Sequence, residues 1–151
     1  MAYTYSFLDV QATLAGPTGV VDLGCGAGNA QEGITVAFNE DKDNMLVGAD
    51  GSVMHSLRAS QAGQITVRLL QTSESNNKLS IMYNAQAVSS SLWGQNVITV
   101  RNSATGDVIV ASACAFTKQP DINYAQDGGT LEWVFNCGAI NEILGTGSPE
   151  A

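Results

Sequence analysis

Apolar and polar side chains alternate with a period of two along most of this chain, the pattern of half-buried β-strands. Leu8, Val10, Ala12 and Leu14 share one face of a first expected strand, with Asp9, Gln11 and Thr13 opposite. Ile34, Val36 and Phe38 repeat the pattern, and so do Ile65, Val67 and Leu69. The stretch from Val97 to Arg101 is short and β-branched. Between Asp107 and Thr117, one set (Val108, Val110, Ser112, Cys114, Phe116) alternates with another (Ile109, Ala111, Ala113, Ala115). Leu131, Trp133, Phe135 and Cys137 face away from Thr130, Glu132 and Asn136. Turn residues separate the runs at Gly16-Pro17, Ala62-Gly63, Thr105-Gly106-Asp107 and Asp127-Gly128-Gly129.

One segment changes period. Ser73 or Ser75 can cap a helix in which Leu79, Met82, Tyr83 and Gln86 recur at helical spacing. Ile81, Ala85 and Val88 broaden its expected apolar stripe, and Ser89-Ser90-Ser91 ends it before Trp93-Gly94. One helix over about residues 75–88 against roughly seven or eight strands predicts a mostly-β (α+β) domain. No internal repeat or linker divides residues 1–151, so one domain is expected, with loose ends at about 1–4 and 145–151.

Composition narrows the classes. Hydrophobic content of 44% supplies a core, while charged residues make up 13%, against about 25% in average proteins. A surface so poor in charge suits a protein that buries much of itself in an assembly. The formal charge is −8, and the six basic residues are scattered with no two adjacent, which leaves no basic patch for gripping nucleic acid. A negative wall would instead let a polyanion slide past without sticking. The three cysteines form no Cys-x-x-Cys pair and read as small buried hydrophobes. No apolar run is long enough for a membrane span, and the first residues lack a signal-peptide pattern, so synthesis in a reducing cytoplasm is expected.

Residues 20–28, Val-Val-Asp-Leu-Gly-Cys-Gly-Ala-Gly, resemble the first motif of S-adenosylmethionine-dependent methyltransferases. Residues 46–52, Leu-Val-Gly-Ala-Asp-Gly-Ser, mimic the acidic strand end that holds the cofactor's ribose in that family. That chemistry needs a helix straight after the glycines and alternating strands and helices. After Gly28, however, Gly33 and the alternating run Ile34 to Phe38 predict a strand, and the chain beyond Asp50 is short for further crossover units. The run is therefore expected to be a loop between strands, with Val20, Val21 and Leu23 in the core and no cofactor.

Other chemistry is sparse. His55 is the only histidine, so neither a zinc site nor a serine–histidine pair can be assembled in the usual way. Glu40, Asp41, Asp43 and Asp50 lack the alternating ligand loop of a calcium site and read as a solvated acidic hairpin. Trp93, Phe116, Trp133 and Phe135 read as core or interface. No catalytic residue and no metal site are expected.

A longer resemblance runs through the chain in order. It includes residues 41–51 and Met54-His55-Ser56-Leu57, then residues 63–73, the helix around Met82-Tyr83-Asn84-Ala85-Gln86, and Trp93-Gly94. Residues 115–122 and residues 127–138 complete it. Together these resemble the tail-tube proteins of contractile-tailed bacteriophages, which are similar to type VI secretion tube proteins. The resemblance implies two packed antiparallel sheets in a barrel-like sandwich with one flanking helix. It also implies six-membered rings stacked head to tail into a hollow tube inside a sheath. DNA and a tape-measure protein would pass through the lumen, and the tube would meet baseplate and terminator proteins. On this reading the protein belongs to the virion tail, assembled in the host cytoplasm.

The stretch from Asn39 to His55 is the best stacking element. It has an acidic beginning (Glu40, Asp41, Asp43), then Asn44, an apolar middle (Met45, Leu46, Val47), a tip with Gly48 and Asp50, and Met54 and His55 on the return. An apolar segment of this kind is natural at an interface. Gln64, Thr66, Asn96 and Thr99 are candidates to line the lumen, with the acidic excess near them. The rival readings are a small methyltransferase and a different tail component, such as a terminator or a baseplate tube-extension protein.

Overall fold

The expected strands form. The computed structural model describes residues 4–145. A short 3-10 turn (Phe7–Asp9) precedes β1 (Val10–Gly16) and β2 (Gly19–Asp22). Then come β3 (Asn29–Phe38), β4 (Asp43–Val47), β5 (Val53–Leu57), β6 (Gly63–Leu70), α1 (Glu74–Gln86), β7 (Asn96–Asn102), β8 (Asp107–Phe116) and β9 (Thr130–Ile143). The loose ends expected at 1–4 and 145–151 lie outside the described residues, except for Thr4 and Gly145.

Seven strands make one antiparallel sheet in the order β2-β1-β7-β8-β9-β6-β3, while β4 and β5 pair only with each other. The barrel-like sandwich thus takes the form of a single sheet curled on itself. Strands β1 and β6 lie four places apart, roughly 19 Å across a flat sheet. Yet Ala12 and Leu14 of β1 share one core with Ile65, Val67 and Leu69 of β6. The sheet curls into a half-barrel around that core. Helix α1 fills the hollow of this half-barrel with Leu79 and Met82.

The alternation reports the core well. Val10, Ala12 and Leu14 are buried, as are Ile65, Val67, Leu69, Leu131, Trp133, Phe135 and Cys137. Phe116 sits at the centre of the aromatic residues, with ring centroids 5.6 Å from Tyr83, 5.9 Å from Trp133 and 5.0 Å from Phe135. The helix begins where expected: Ser73 Oγ accepts from Ser75 N at 3.2 Å. Its buried side is Ser75, Leu79, Met82 and Gln86.

Several expectations fail, each for a local reason. Leu8 is exposed because Ser6 Oγ accepts from Leu8 N at 3.1 Å and starts a 3-10 turn, which breaks the alternation before β1. Ile81 does not join the buried stripe, since it projects from the solvent side of α1; the helix ends at Gln86, short of the expected 88, which leaves Val88 exposed in the turn after it, and Val20 is exposed on the outer side of β2. In β8 the inward set changes phase, from Ile109 and Ala111 to Cys114 and Phe116. A bulge against β7 does this: Ile98 pairs with Ala111, but Asn96 pairs with Cys114. Ala113 carries the bulge at φ 53°, a conformation few residues other than glycine adopt. Gly138 lies opposite, and a Cβ there would stand 2.9 Å from the Cβ of Ala113.

Candidate assembly interface

The glycine-rich loop is structural. Asn29–Phe38 after it is strand β3, paired antiparallel with β6, and no helix follows the glycines. The loop instead rests on the start of α1. Ser73 Oγ donates to Ala27 O, Ser75 Oγ donates to Asp22 O at 3.1 Å, and Leu70 N donates to Gly28 O at 2.7 Å. A Cβ at Gly28 would meet the Cβ of Ser73 at 2.9 Å, so the close approach needs glycine. The helix start that a nucleoside would need is taken up by the chain's own serines. Residues 46–52 lie on β4 and the turn after it.

The strongest surface feature is the β4–β5 hairpin. Every residue from Ala37 to Gln61 is exposed. Val47 pairs with Val53, Leu46 with Met54, Met45 with His55 and Asp43 with Leu57. Successive strand residues point to opposite faces. Met45, Val47, Val53 and Leu57 therefore lie on one face of the ribbon, and Leu46 and Met54 on the other. All six are more than half exposed. A two-stranded ribbon is marginally stable alone in water. Exposed apolar side chains on both of its faces form the kind of patch that marks interaction surfaces.

Its polar groups shape the ribbon. Asp43 Oδ2 lies 2.9 Å from His55 Nδ1, diagonally across the two strands. Gly48 N donates to Ser52 O at 2.7 Å, and Gly51 closes the turn at φ 87°. Asp50 Oδ1 accepts from Ser52 N at 2.9 Å. These hydrogen bonds from the Ser52 backbone and side chain hold the Asp50 carboxyl below its ordinary value of 3.8. The stacking candidates Glu40, Asp41, Asp43, Asn44, Met45, Leu46, Val47, Gly48, Asp50, Met54 and His55 are thus brought together on one projecting element.

A second exposed connection, which the sequence reading missed, stands at the other end of the sheet. The hairpin leaves β3 at Phe38 and rejoins β6 at Gly63. The far end of β6, Leu70, pairs with Thr130 at the start of β9, just after the long connection between β8 and β9. Seven strand steps, about 24 Å, separate the two ends. Tyr124 and Ile122 of this connection are exposed. The available signal was a long irregular polar stretch, opened by Pro120 and carrying isolated apolar residues.

The lumen candidates divide. Gln64 and Thr66 lie on the face of the sheet turned away from the core, and Gln64 Nε2 donates to Asn136 Oδ1 at 3.0 Å. Thr99 lies on the same outer face, in register with Thr13 and Val110. Asn96 does not belong with them. It is fully buried, with Nδ2 donating to Gln86 Oε1 at 2.9 Å and Oδ1 accepting from Gln86 Nε2 at 2.8 Å. Four acidic residues, Glu40, Asp41, Asp43 and Asp50, lie in the hairpin segment, while on the outer face of the sheet Asp22 is in register with Thr13 and Glu132 stands 3.6 Å from Arg68. Among the described residues no three His, Cys, Asp or Glu side chains are placed to hold a metal ion, and no helix is long and apolar enough to cross a membrane.

A bare curled sheet with a projecting apolar ribbon at one end defines a subunit of an assembly. Residues 1–145 match the family described as "Bacteriophage PhiTE tail tube protein". The chain belongs to that tail-tube family; it is a structural protein and not an enzyme. The fold is similar to a chain of the PVC extracellular contractile injection system sheath-tube complex in its extended state. That match has TM-score 0.59 and 10% identity over 94% of this chain and 93% of the other. A chain from the tail of an empty GTA particle gives TM-score 0.59 and 12% identity over 91% and 98%. One from the anti-feeding prophage baseplate gives TM-score 0.58 and 10% identity over 97% and 99%. No curated protein matches this sequence.

Proposed function

We propose that this chain is the repeating subunit of a contractile phage's tail tube. Six copies close a ring, rings stack head to tail, and DNA and the tape-measure protein pass through the bore. The observation that carries this reading is the β4–β5 ribbon, with apolar side chains more than half exposed on both faces, at the opposite end of the sheet from the second exposed connection. Two different surfaces at opposite ends give a heterologous contact that never closes and so grows into a filament. Around the ring, the outer edges of β2 and β3 complete one another between neighbours, which removes the hazard of free sheet edges. Gln64, Thr66 and Thr99 face the bore, and Arg68 on the same face stands 3.6 Å from Glu132, which offsets its charge and leaves DNA little cationic hold.

The similar chains come from a sheath-tube complex and a baseplate, and this supports a sheath around the tube and contact with a baseplate at one end. The protein then resides in the virion tail after assembly in the host cytoplasm. Negative-stain microscopy of the concentrated protein tests the reading. Long hollow tubes are expected; single rings would instead identify a terminator, and absence of both would refute the proposal. Titration with S-adenosylmethionine is expected to give no binding heat. Lysines at Gln64, Thr66 and Thr99 are expected to slow DNA ejection, and unchanged ejection would move these residues off the bore.

A further inference from the structure

The bulge in β8 creates a second feature, inside the sheet. Had the alternation continued from Ala111, Ala113 and Ala115 would point inward and Cys114 outward. The extra residue turns Cys114 into the core, directly opposite Cys137 of β9. The two thiols meet with Sγ atoms 3.2 Å apart, at 0% and 3% exposure. Cα atoms directly opposite in antiparallel strands stand about 4.5–5.5 Å apart. A disulfide spans Cα separations of about 4.4–6.8 Å. The backbone already has the spacing the bond requires.

We infer that Cys114 and Cys137 form an oxidisable dithiol that closes to a disulfide across the β8–β9 seam when the folded protein meets a small neutral peroxide. The two sulfurs are unequal. Cys114 donates its S–H to Cys137, which lowers the Cys137 thiol below its ordinary value and raises that of Cys114. Cys137, the acceptor of that hydrogen bond and the less buried of the two sulfurs, takes the role of nucleophile. Its thiolate attacks hydrogen peroxide and the O–O bond breaks. Cys137 becomes a sulfenic acid, and the hydroxide released takes up the thiol's proton as water. Cys114 sulfur then attacks Cys137 Sγ; the S–O bond breaks, and the leaving hydroxide takes the Cys114 proton as a second water. Two thiols and one peroxide give one disulfide and two waters.

The bond would enclose the whole connection between β8 and β9, the second exposed surface of the subunit. Its relevance to assembly rests on the stacking proposal, but its chemistry does not. A tail that outlasts the reducing cytoplasm would gain a covalent tie at the base of that surface.

The test uses unassembled full-length protein, so a failure of tube formation cannot mask it. Folded protein is treated with hydrogen peroxide, quenched, denatured and alkylated with N-ethylmaleimide. The expected product carries a single adduct, on Cys25, which has no facing thiol among the described residues. Its mass shows the loss of two hydrogens, and a linked Cys114–Cys137 peptide appears that dithiothreitol separates. The oxidised protein should melt roughly 6–12 °C higher, a rise that C137A and C114A both lack. Three adducts, or oxygen added to each sulfur separately, would overturn the inference. If both variants fail to fold, the dithiothreitol-reduced wild type serves as the comparison.

Discussion

Gln86 and Asn96 hold each other by two reciprocal amide hydrogen bonds of 2.8 and 2.9 Å, with both side chains fully buried. Gln86 ends α1 and Asn96 begins β7, so the pair fastens the helix to the sheet. Gln86 Nε2 also lies 3.2 Å from Thr18 Oγ1, which draws in the β1–β2 turn. A Cβ on Gly16 would overlap the Asn96 amide, so the turn can close over it only as glycine.

Removing one member leaves the other's amide buried and unpaired, at a cost of about 1–3 kcal/mol. N96A is expected to destabilise the fold by about 2 kcal/mol in urea unfolding. Replacing both residues with leucine should recover part of that loss, and the double-mutant cycle measures their coupling. Simple additivity of the two changes would show that the amides do not act as a pair.

The β8 bulge makes opposite predictions for two small residues. A113G relieves a left-handed strain of about 1–2 kcal/mol against the greater freedom of glycine in the unfolded chain, for a net gain of up to about 1 kcal/mol. G138A drives a methyl into Ala113 and should cost about 1–3 kcal/mol. Thermal melts of the two variants, moving in opposite directions, check the bulge.

The hairpin separates assembly from folding. Leu46 and Met54 pair across β4 and β5, and both are exposed in the single chain. The double change to aspartate should alter subunit stability by no more than about 0.5 kcal/mol. It should abolish tubes in negative stain. Tubes of normal length would remove the hairpin from the stacking contact.

Acid should loosen the hairpin turn first at Asp50. Its carboxyl is depressed in the folded chain by the hydrogen bonds from Ser52. The stabilisation is therefore fully present above the ordinary value of 3.8 and is lost as pH falls below it towards the lower folded value. The Ser52 amide resonance followed by NMR should titrate in that window and stop titrating in D50N.

Much of this protein is written in local pattern. Ile65, Val67 and Leu69 declare an inward strand face, Leu79, Met82 and Gln86 a buried helix side, and Met45 to Val47 an apolar stretch with no core to enter. The strand after Gly28 is equally plain, because Gly33 and the β-branched run that follows disfavour a helix. Each of these follows from the period at which neighbouring side chains repeat. The tertiary structure decided which strands meet and in what register. Nothing local distinguishes the two phases of β8, where alanines fit either side, so only pairing with β7 and β9 reveals the bulge at Ala113. Asn96 reads as an outward polar residue until Gln86 is found facing it, and Cys114 and Cys137 read as separate small hydrophobes until the bulge turns one towards the other. Periodicity reports how a segment divides between water and core, whereas hydrogen bonds between distant segments depend on register, and a one-residue shift exchanges every side chain between the faces.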